Sequence, residues 1–236
     1  MGELRYIWFD LGYTLVYTKR EAGMKSLLDK LGYPVDVEIV KLAYHLADKY
    51  FMREHRGLLC RPGSEYLERY YRKLAEILNC GIGEGELLEA YNMRTAGERH
   101  WFAYESALEV LALLKRKSIG TGLISNWDDS ARKVLGENGL DKELDAVFIS
   151  SEVGLEKPDR RIFELALSKK GIPPEQCLYV GDNYYDDAVG ARQVGIKPVI
   201  INPYGFVGVE ELVDVDIISN IRDLPNYLGI DTAASF

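Results

Sequence analysis

The chain has 236 residues, 47% of them hydrophobic and 28% charged, and a formal net charge of −8 from 29 basic and 37 acidic side chains. This is the composition of one large or two small globular domains; it excludes disorder, collagen-like repeats and a disulfide scaffold, and its acidity argues against a nucleic-acid partner, whose phosphates demand Lys and Arg. No run of about 18 apolar residues encodes a membrane span, Met1–Asp10 reads as a strand rather than an export signal, and Cys60, Cys80 and Cys177 show neither metal-ligand spacing nor a disulfide framework, so a cytoplasmic setting is expected.

Leu4–Phe9 is rich in β-formers and ends at Asp10, with Gly12 permitting a tight turn, so a buried strand is predicted there. From about residue 19 to 99 the period changes. Val37, Val40, Tyr44, Ala47 and Phe51 recur at helical spacing, as do Leu67, Tyr71, Leu74 and Leu78. Ser64 is the expected N-cap of the second stripe, with Glu65 and Glu68 in its first turn. Four helices and no strands are predicted in this stretch, with His45 and His55 as structural or solvent-facing residues. From Ala107 onward helices at 107–116, 129–137, 159–169 and 186–193 alternate with strands Gly120–Ile124, Ala146–Ile149, Cys177–Val180 and Pro198–Ile201. A last strand, Asp216–Ile218, precedes a short helix near 222–228. Apolar strands alternating with helices imply a parallel sheet covered on both faces. The expected organisation is an α/β core at 1–17 and 101–236, interrupted by a helical insert at 18–100. The charge follows that division: the insert has 14 basic and 13 acidic residues, the remainder 15 and 24.

Ligands of open parallel sheets bind beyond the carboxyl ends of the strands. There this chain places Asp10-Leu11-Gly12-Tyr13-Thr14, Ser125-Asn126, Lys157-Pro158-Asp159 and Gly181-Asp182 through Asp187. Converging, they would present carboxylates, a hydroxyl and an ammonium around one spot, which suits a phosphate ester. Asp10 would attack phosphorus and form an aspartyl-phosphate. Clustered carboxylates would repel a phosphate dianion without a cation among them, and hard oxygen ligands with no His or Cys favour Mg2+ on Asp10 and Asp182. Ser125 and the Asn126 N–H would hold the phosphoryl group, and Lys157 would offset its negative charge. Pro158 is expected at the first position of a helix, which sets Lys157 at that helix's N-terminus.

These segments resemble the four motifs of the haloacid dehalogenase (HAD) superfamily. Asp10 matches the motif I nucleophile, Ser125 motif II, Lys157 motif III, and Gly181-Asp182 with Asp187 motif IV. The flanks agree: Phe102-Ala103-Tyr104 to Leu114, Lys157-Pro158-Asp159 to Ile162-Phe163, and Gly181 to Ala191 resemble the stretches around motifs II, III and IV. Taken singly, Asp10 would be a turn residue, Ser125 an N-cap and Lys157 a surface lysine; four matches in order make the signal. The resemblance implies a Rossmann-like parallel sheet core with an inserted all-helical C1 cap at 18–100. It further implies a Mg2+-dependent phosphatase acting on small phosphorylated metabolites as a monomer or homodimer, with Asp10, Asp182, Asp187 and the Gly12 carbonyl toward the metal. Arg61, in a loop between cap helices, is the first candidate for a substrate contact.

One position departs from the pattern. Most HAD phosphatases carry a second Asp two residues after the nucleophile, where this chain has Gly12. The acid–base help thereby lost is worth roughly 10²–10⁴-fold. Tyr13, Asp128 or a cap residue would have to replace it, or the substrate would need a good leaving group, or the protein would be a weak or specialised member. Two rivals stay open: a metal-independent 2-haloacid dehalogenase, against which Gly181-Asp182 and Asp187 argue, and a non-catalytic binding protein on this scaffold. A mutase needs the missing residue, and a phosphonatase needs a cap lysine for which Lys19 and Lys25 qualify by position alone.

Overall fold

The computed structural model describes residues 3–83, 85–89 and 100–231. The chain divides into two compact units, one of residues 1–17, 101–206 and 210–236, the other of residues 18–100 and 207–209.

The first unit is built on a six-stranded parallel sheet. Its strands are β1 (Tyr6–Phe9), β4 (Gly120–Ser125), β5 (Ala146–Ile149), β6 (Cys177–Gly181), β7 (Lys197–Ile201) and β8 (Asp216–Ile218), in the order β5-β4-β1-β6-β7-β8. β1 lies centrally between β4 and β6, so its residues are buried on both faces. Successive side chains point to opposite faces of a strand. Ile7 and Phe9 accordingly enter one apolar cluster with Leu123 and Val180, while Tyr6 and Trp8 enter the other with Phe163 and Tyr179. This explains why β1 reads as a continuous apolar run. The chain runs outward from β1 in both directions, toward β4 and toward β6, so the carboxyl end of β1 faces the crevice where the strand order switches.

Of the helices, α4 (Glu105–Arg116), α5 (Ala131–Glu137), α7 (Arg160–Lys170) and α8 (Val189–Gln193) fall close to their predicted places; α6 (Ser150–Val153) and α9 (Leu224–Tyr227) are single turns. Two details differ from expectation. Pro158 is not the first helical residue: α7 starts at Arg160, with the Asp159 carboxylate capping the Arg161 N–H. Lys157 therefore stands ahead of the helix rather than on its first turn. A two-stranded antiparallel ribbon, β2 (Val16–Tyr17) with β3 (Phe102–Ala103), also occurs where no strand was predicted. Strands this short carry too few residues for a period to show, and the pairing is set across the whole insert.

The second unit packs α1 (Arg20–Lys30), α2 (Val37–Glu54) and α3 (Gly63–Leu78); residues 85–89 are helical as well, and the rest of the fourth predicted helix lies outside the described residues. The α2 stripe of Val40, Tyr44, Ala47 and Phe51 buries against Tyr70, Tyr71, Leu74 and Leu78 of α3. Ser64 is not the cap of α3, because the helix begins at Gly63 with Pro62 before it. Asp48 is buried in this unit, where it pairs with Arg20 and accepts the Tyr70 hydroxyl at 2.6 Å. His45 is buried too; its Nε2–H donates to the Val207 carbonyl at 2.8 Å, and burial lowers its pKa below the ordinary 6.5. His55 is half-buried against Tyr50 and Phe51, so both histidines are structural. Among the described residues no helix is long and apolar enough to cross a membrane.

Candidate active site

Asp10 follows β1 directly and is 9% exposed. Its backbone N–H bonds the Val180 carbonyl at 2.9 Å, which extends the β1–β6 ladder by one residue and holds the carboxylate at the sheet's carboxyl edge. Ser125 ends β4, and its Oγ donates to Asp10 Oδ1 at 3.0 Å. Lys157 Nζ donates to the same oxygen at 2.6 Å. Both bonds fall on Oδ1, and neither uses Oδ2.

Lys157 is the centre of the arrangement. It is 3% exposed, and its ammonium has three protons to place. They find Asp10 Oδ1 at 2.6 Å, Asp187 Oδ1 at 2.6 Å and the Tyr179 hydroxyl at 2.9 Å. Burial alone would push this lysine down, but the Asp10 and Asp187 carboxylates more than reverse it, so the ammonium is held well above its ordinary pKa. The Tyr179 hydroxyl donates to the Ile124 carbonyl at 2.7 Å and lies 3.2 Å from Asp187 Oδ1, and burial together with Asp187 keeps the phenol protonated. The loop that carries Lys157 is fixed by Asn126. Its side chain donates to the Lys157 carbonyl at 2.8 Å and accepts the Lys157 N–H at 2.7 Å. Beyond the backbone N–H expected to face phosphate, the Asn126 side chain locks the lysine segment beside β4.

Asp187 is fully buried, and its Oδ2 accepts the Asn183 N–H at 3.0 Å. A five-residue π-turn, Tyr184–Ala188, turns Asp186 and Asp187 inward ahead of α8; such turns recur at functional sites. Gly181 is needed for this. A Cβ there would overlap Asp187 Oδ2 and lie 2.5 Å from its Cγ. The neighbouring Asp186 bonds the Asn183 amide at 2.8 Å, and burial, then the Asp187 charge, raises its pKa to about 7.

Asp10, Asp187 and the half-buried Asp182 each bring a carboxylate oxygen within 4.8 Å of the others. A set of hard oxygens with no nitrogen or sulfur donor fits a Mg2+-like cation. Asp187 also pairs with Lys157 and accepts the Asn183 N–H.

Gly12 follows two residues after Asp10. Its φ lies outside the left-handed region, which in this loop is occupied by Tyr13 at φ 52°. A Cβ on Gly12 would lie 3.3 Å from Cζ3 of Trp127 and 3.9 Å from the Trp101 ring. The two indoles meet edge to face at 4.7 Å, and Tyr13 packs on Trp101 at 5.5 Å. Of the side chains considered as replacement acids, Tyr13 joins this aromatic group. Asp128 is exposed and accepts both the Ser130 N–H, at 2.9 Å, and its hydroxyl, at 2.6 Å. Arg61 belongs to the helical unit, where it is exposed after the short turn Leu58–Cys60. Sequence reasoning missed Tyr179: a tyrosine inside a buried strand looks like packing until its hydroxyl is seen on Lys157.

Known proteins agree with this architecture. The chain is 30% identical to a glyceraldehyde 3-phosphate phosphatase of Methanothermobacter thermautotrophicus, over 95% of this chain and 100% of that one. Its fold is similar to that of a HAD-hydrolase from Bacillus subtilis crystallised with magnesium, with a TM-score of 0.62 and 18% identity over 97% of this chain and 100% of that one. A 2-haloacid dehalogenase from Pseudomonas syringae shares the fold as well, with a TM-score of 0.54 and 21% identity over 96% of this chain and 98% of that one. The haloacid dehalogenase-like hydrolase model matches residues 5–195, and with the strand order, the four strand-end segments and the full-length relative in agreement, the chain belongs to that family.

Proposed function

We propose that this protein is a Mg2+-dependent phosphomonoester hydrolase that works through an aspartyl-phosphate on Asp10. The observation that carries the reading is the clamp on Asp10. Lys157 and Ser125 both hold Oδ1, so Oδ2 is the oxygen presented for attack. The full-length relative named as a phosphatase supports a phosphate substrate.

The chemistry follows from the groups in place. Asp10 Oδ2 forms the new bond to phosphorus while the ester oxygen departs with the bonding electrons. Water then hydrolyses the aspartyl-phosphate, restoring the carboxylate and releasing inorganic phosphate. Lys157 remains an ammonium throughout, because two carboxylates face it, and it offsets negative charge at the reacting centre. Ser125 Oγ and the Asn126 N–H bind the phosphoryl oxygens. Asp10, Asp182 and the Gly12 carbonyl, with Asp187 in support, would hold Mg2+, which supplies positive charge to a phosphate dianion among three acids. Arg61 is the proposed contact to the non-phosphate part of the substrate. The setting is cytoplasmic and the substrates are small metabolites.

A panel of phosphate esters assayed with and without EDTA, on wild type and Asp10→Asn, tests the reading. Phosphate release that EDTA and Asp10→Asn each abolish is expected. Halide release from 2-haloacids that survives EDTA would replace this reading with the dehalogenase, and phosphate binding without turnover would replace it with a binding protein.

A further inference from the structure

Resting on the phosphatase reading, we propose that Tyr179 is a positioning residue for the reaction: its hydroxyl fixes the direction of the Lys157 ammonium and keeps it on Asp10 while the Asp10 carboxylate changes charge.

Tyr179 lies in the middle of β6, fully buried, in the apolar cluster that also holds Tyr6, Trp8 and Ile124. β1 separates β6 from β4 in the sheet, yet the Tyr179 hydroxyl donates to the Ile124 carbonyl of β4 at 2.7 Å. The side chain therefore reaches past β1. Its other acceptor, Asp187 Oδ1, is farther away at 3.2 Å. With the single phenolic proton on the shorter bond, the oxygen turns a lone pair to Lys157 Nζ, which it meets at 2.9 Å. Ile124 immediately precedes Ser125. One buried oxygen thus ties the strand that ends in Ser125 to the lysine, and these are the two groups that hold Asp10 Oδ1.

The three acceptors of the ammonium are not alike. Asp10 and Asp187 are carboxylates, each 2.6 Å from Nζ, and Tyr179 is a neutral hydroxyl. The Asp10 carboxylate is altered by the reaction. As Oδ2 bonds phosphorus, the ester oxygen departs with the P–O electron pair, and Oδ1 becomes the carbonyl oxygen of an acyl group. Its hold on Lys157 weakens, because hydrogen bonds to an ionised acceptor are roughly twice as strong as neutral ones. Left with Asp187 alone, the ammonium would swivel about that bond. Tyr179 prevents this, since its hydroxyl is tied to a main-chain carbonyl inside the sheet and takes no part in the exchange. Two N–H directions pinned by Asp187 and Tyr179 fix the third on a tetrahedral nitrogen. That third N–H therefore points at Asp10 Oδ1 both before and after phosphorus is bound.

The test uses p-nitrophenyl phosphate at a temperature where urea titrations show every variant fully folded. Tyr179→Phe should lower kcat about 10–10²-fold, the scale on which small misplacements act, with KM within about threefold. A 3-fluorotyrosine incorporated at position 179 keeps the hydroxyl but weakens its lone pair, so its kcat should fall in between; it carries the test by itself if Tyr179→Phe does not fold. Vanadate, a trigonal-bipyramidal mimic of the transferring phosphoryl, should bind more weakly in step with kcat, while inhibition by inorganic phosphate stays within about threefold. Ile196→Ala empties a buried position of the same apolar cluster and should lose stability with kcat unchanged. A kcat within about twofold of wild type in Tyr179→Phe, or in the fluorotyrosine protein if the former does not fold, would overturn the proposal and leave the phosphatase reading intact. So would a loss confined to KM, or an equal fall of kcat in Ile196→Ala, which would make the hydroxyl a structural group only. A wild type that releases no phosphate would remove the phosphatase reading and this proposal together.

Discussion

Replacing Tyr179 with Phe removes one oxygen from the buried centre of the site. The ring stays, so apolar packing against Phe163 at 5.4 Å is preserved. Three hydrogen bonds disappear: the one from Lys157 Nζ at 2.9 Å, the one to the Ile124 carbonyl at 2.7 Å and a longer one to Asp187 Oδ1 at 3.2 Å. Lys157 is then left with one ammonium proton facing an aromatic edge at a position 3% exposed. A buried donor without a partner costs ~1–3 kcal/mol, more when the group is charged. Retention of the bonds to Asp10 and Asp187 keeps the ammonium paired, so the loss stays below the ~3–5 kcal/mol of breaking a buried ion pair. The expected destabilisation is therefore about 2–4 kcal/mol. Urea unfolding at pH 7 measures it, with an unchanged m-value showing that the two-state comparison is fair. A shift under about 0.5 kcal/mol, the scatter of ordinary surface substitutions, would refute the claim that this hydroxyl is needed by the lysine.

Gly181→Ala should destabilise the fold by roughly 2–4 kcal/mol, because its Cβ displaces the Asp187 carboxylate that pairs with Lys157; overpacking and a damaged buried pair both contribute. Urea midpoints check this, and an alanine variant as stable as wild type would contradict it. Asn126→Ala deletes both bonds to the Lys157 backbone and should lower kcat/KM more than it lowers stability, since Lys157 loses its placement while the core is untouched; steady-state kinetics beside thermal melts separate the two effects. His45 contributes a pH dependence to stability. Its pKa is lowered in the folded state by burial, so below the ordinary 6.5 the unfolded chain takes up the proton first. Stability present above that pH should fall as the pH drops through 6.5, and His45→Gln should flatten the slope between pH 5 and 7. Equal slopes in both proteins, read from urea midpoints across that range, would exclude His45 as the cause.

The site was legible because its chemistry sits at strand ends, where sequence shows it twice: as an apolar run that stops, and as a polar residue that stops it. Asp10 after Tyr6–Phe9, Ser125 after the β4 run and Asp182 after Cys177–Gly181 are all of this kind. Residues whose contribution runs across the sheet could not be read that way. Tyr179 alternates as a core residue should, and its hydroxyl acquires meaning only when the Lys157 loop is brought over β6. The Asn126 side chain is likewise local in sequence yet spends both its polar ends on a segment 31 residues away.

Local pattern determined the α/β alternation, the helical insert and the identity of the strand-end groups, because periodicity and turn chemistry act over a few residues. Tertiary structure alone decided that β1 is central, that Asp187 serves Lys157, and that indole rings fill the space beside Gly12. Each of those depends on contacts between residues far apart in the chain. A burial or an ion pair has no local period to announce it; it exists only once the strands are in order.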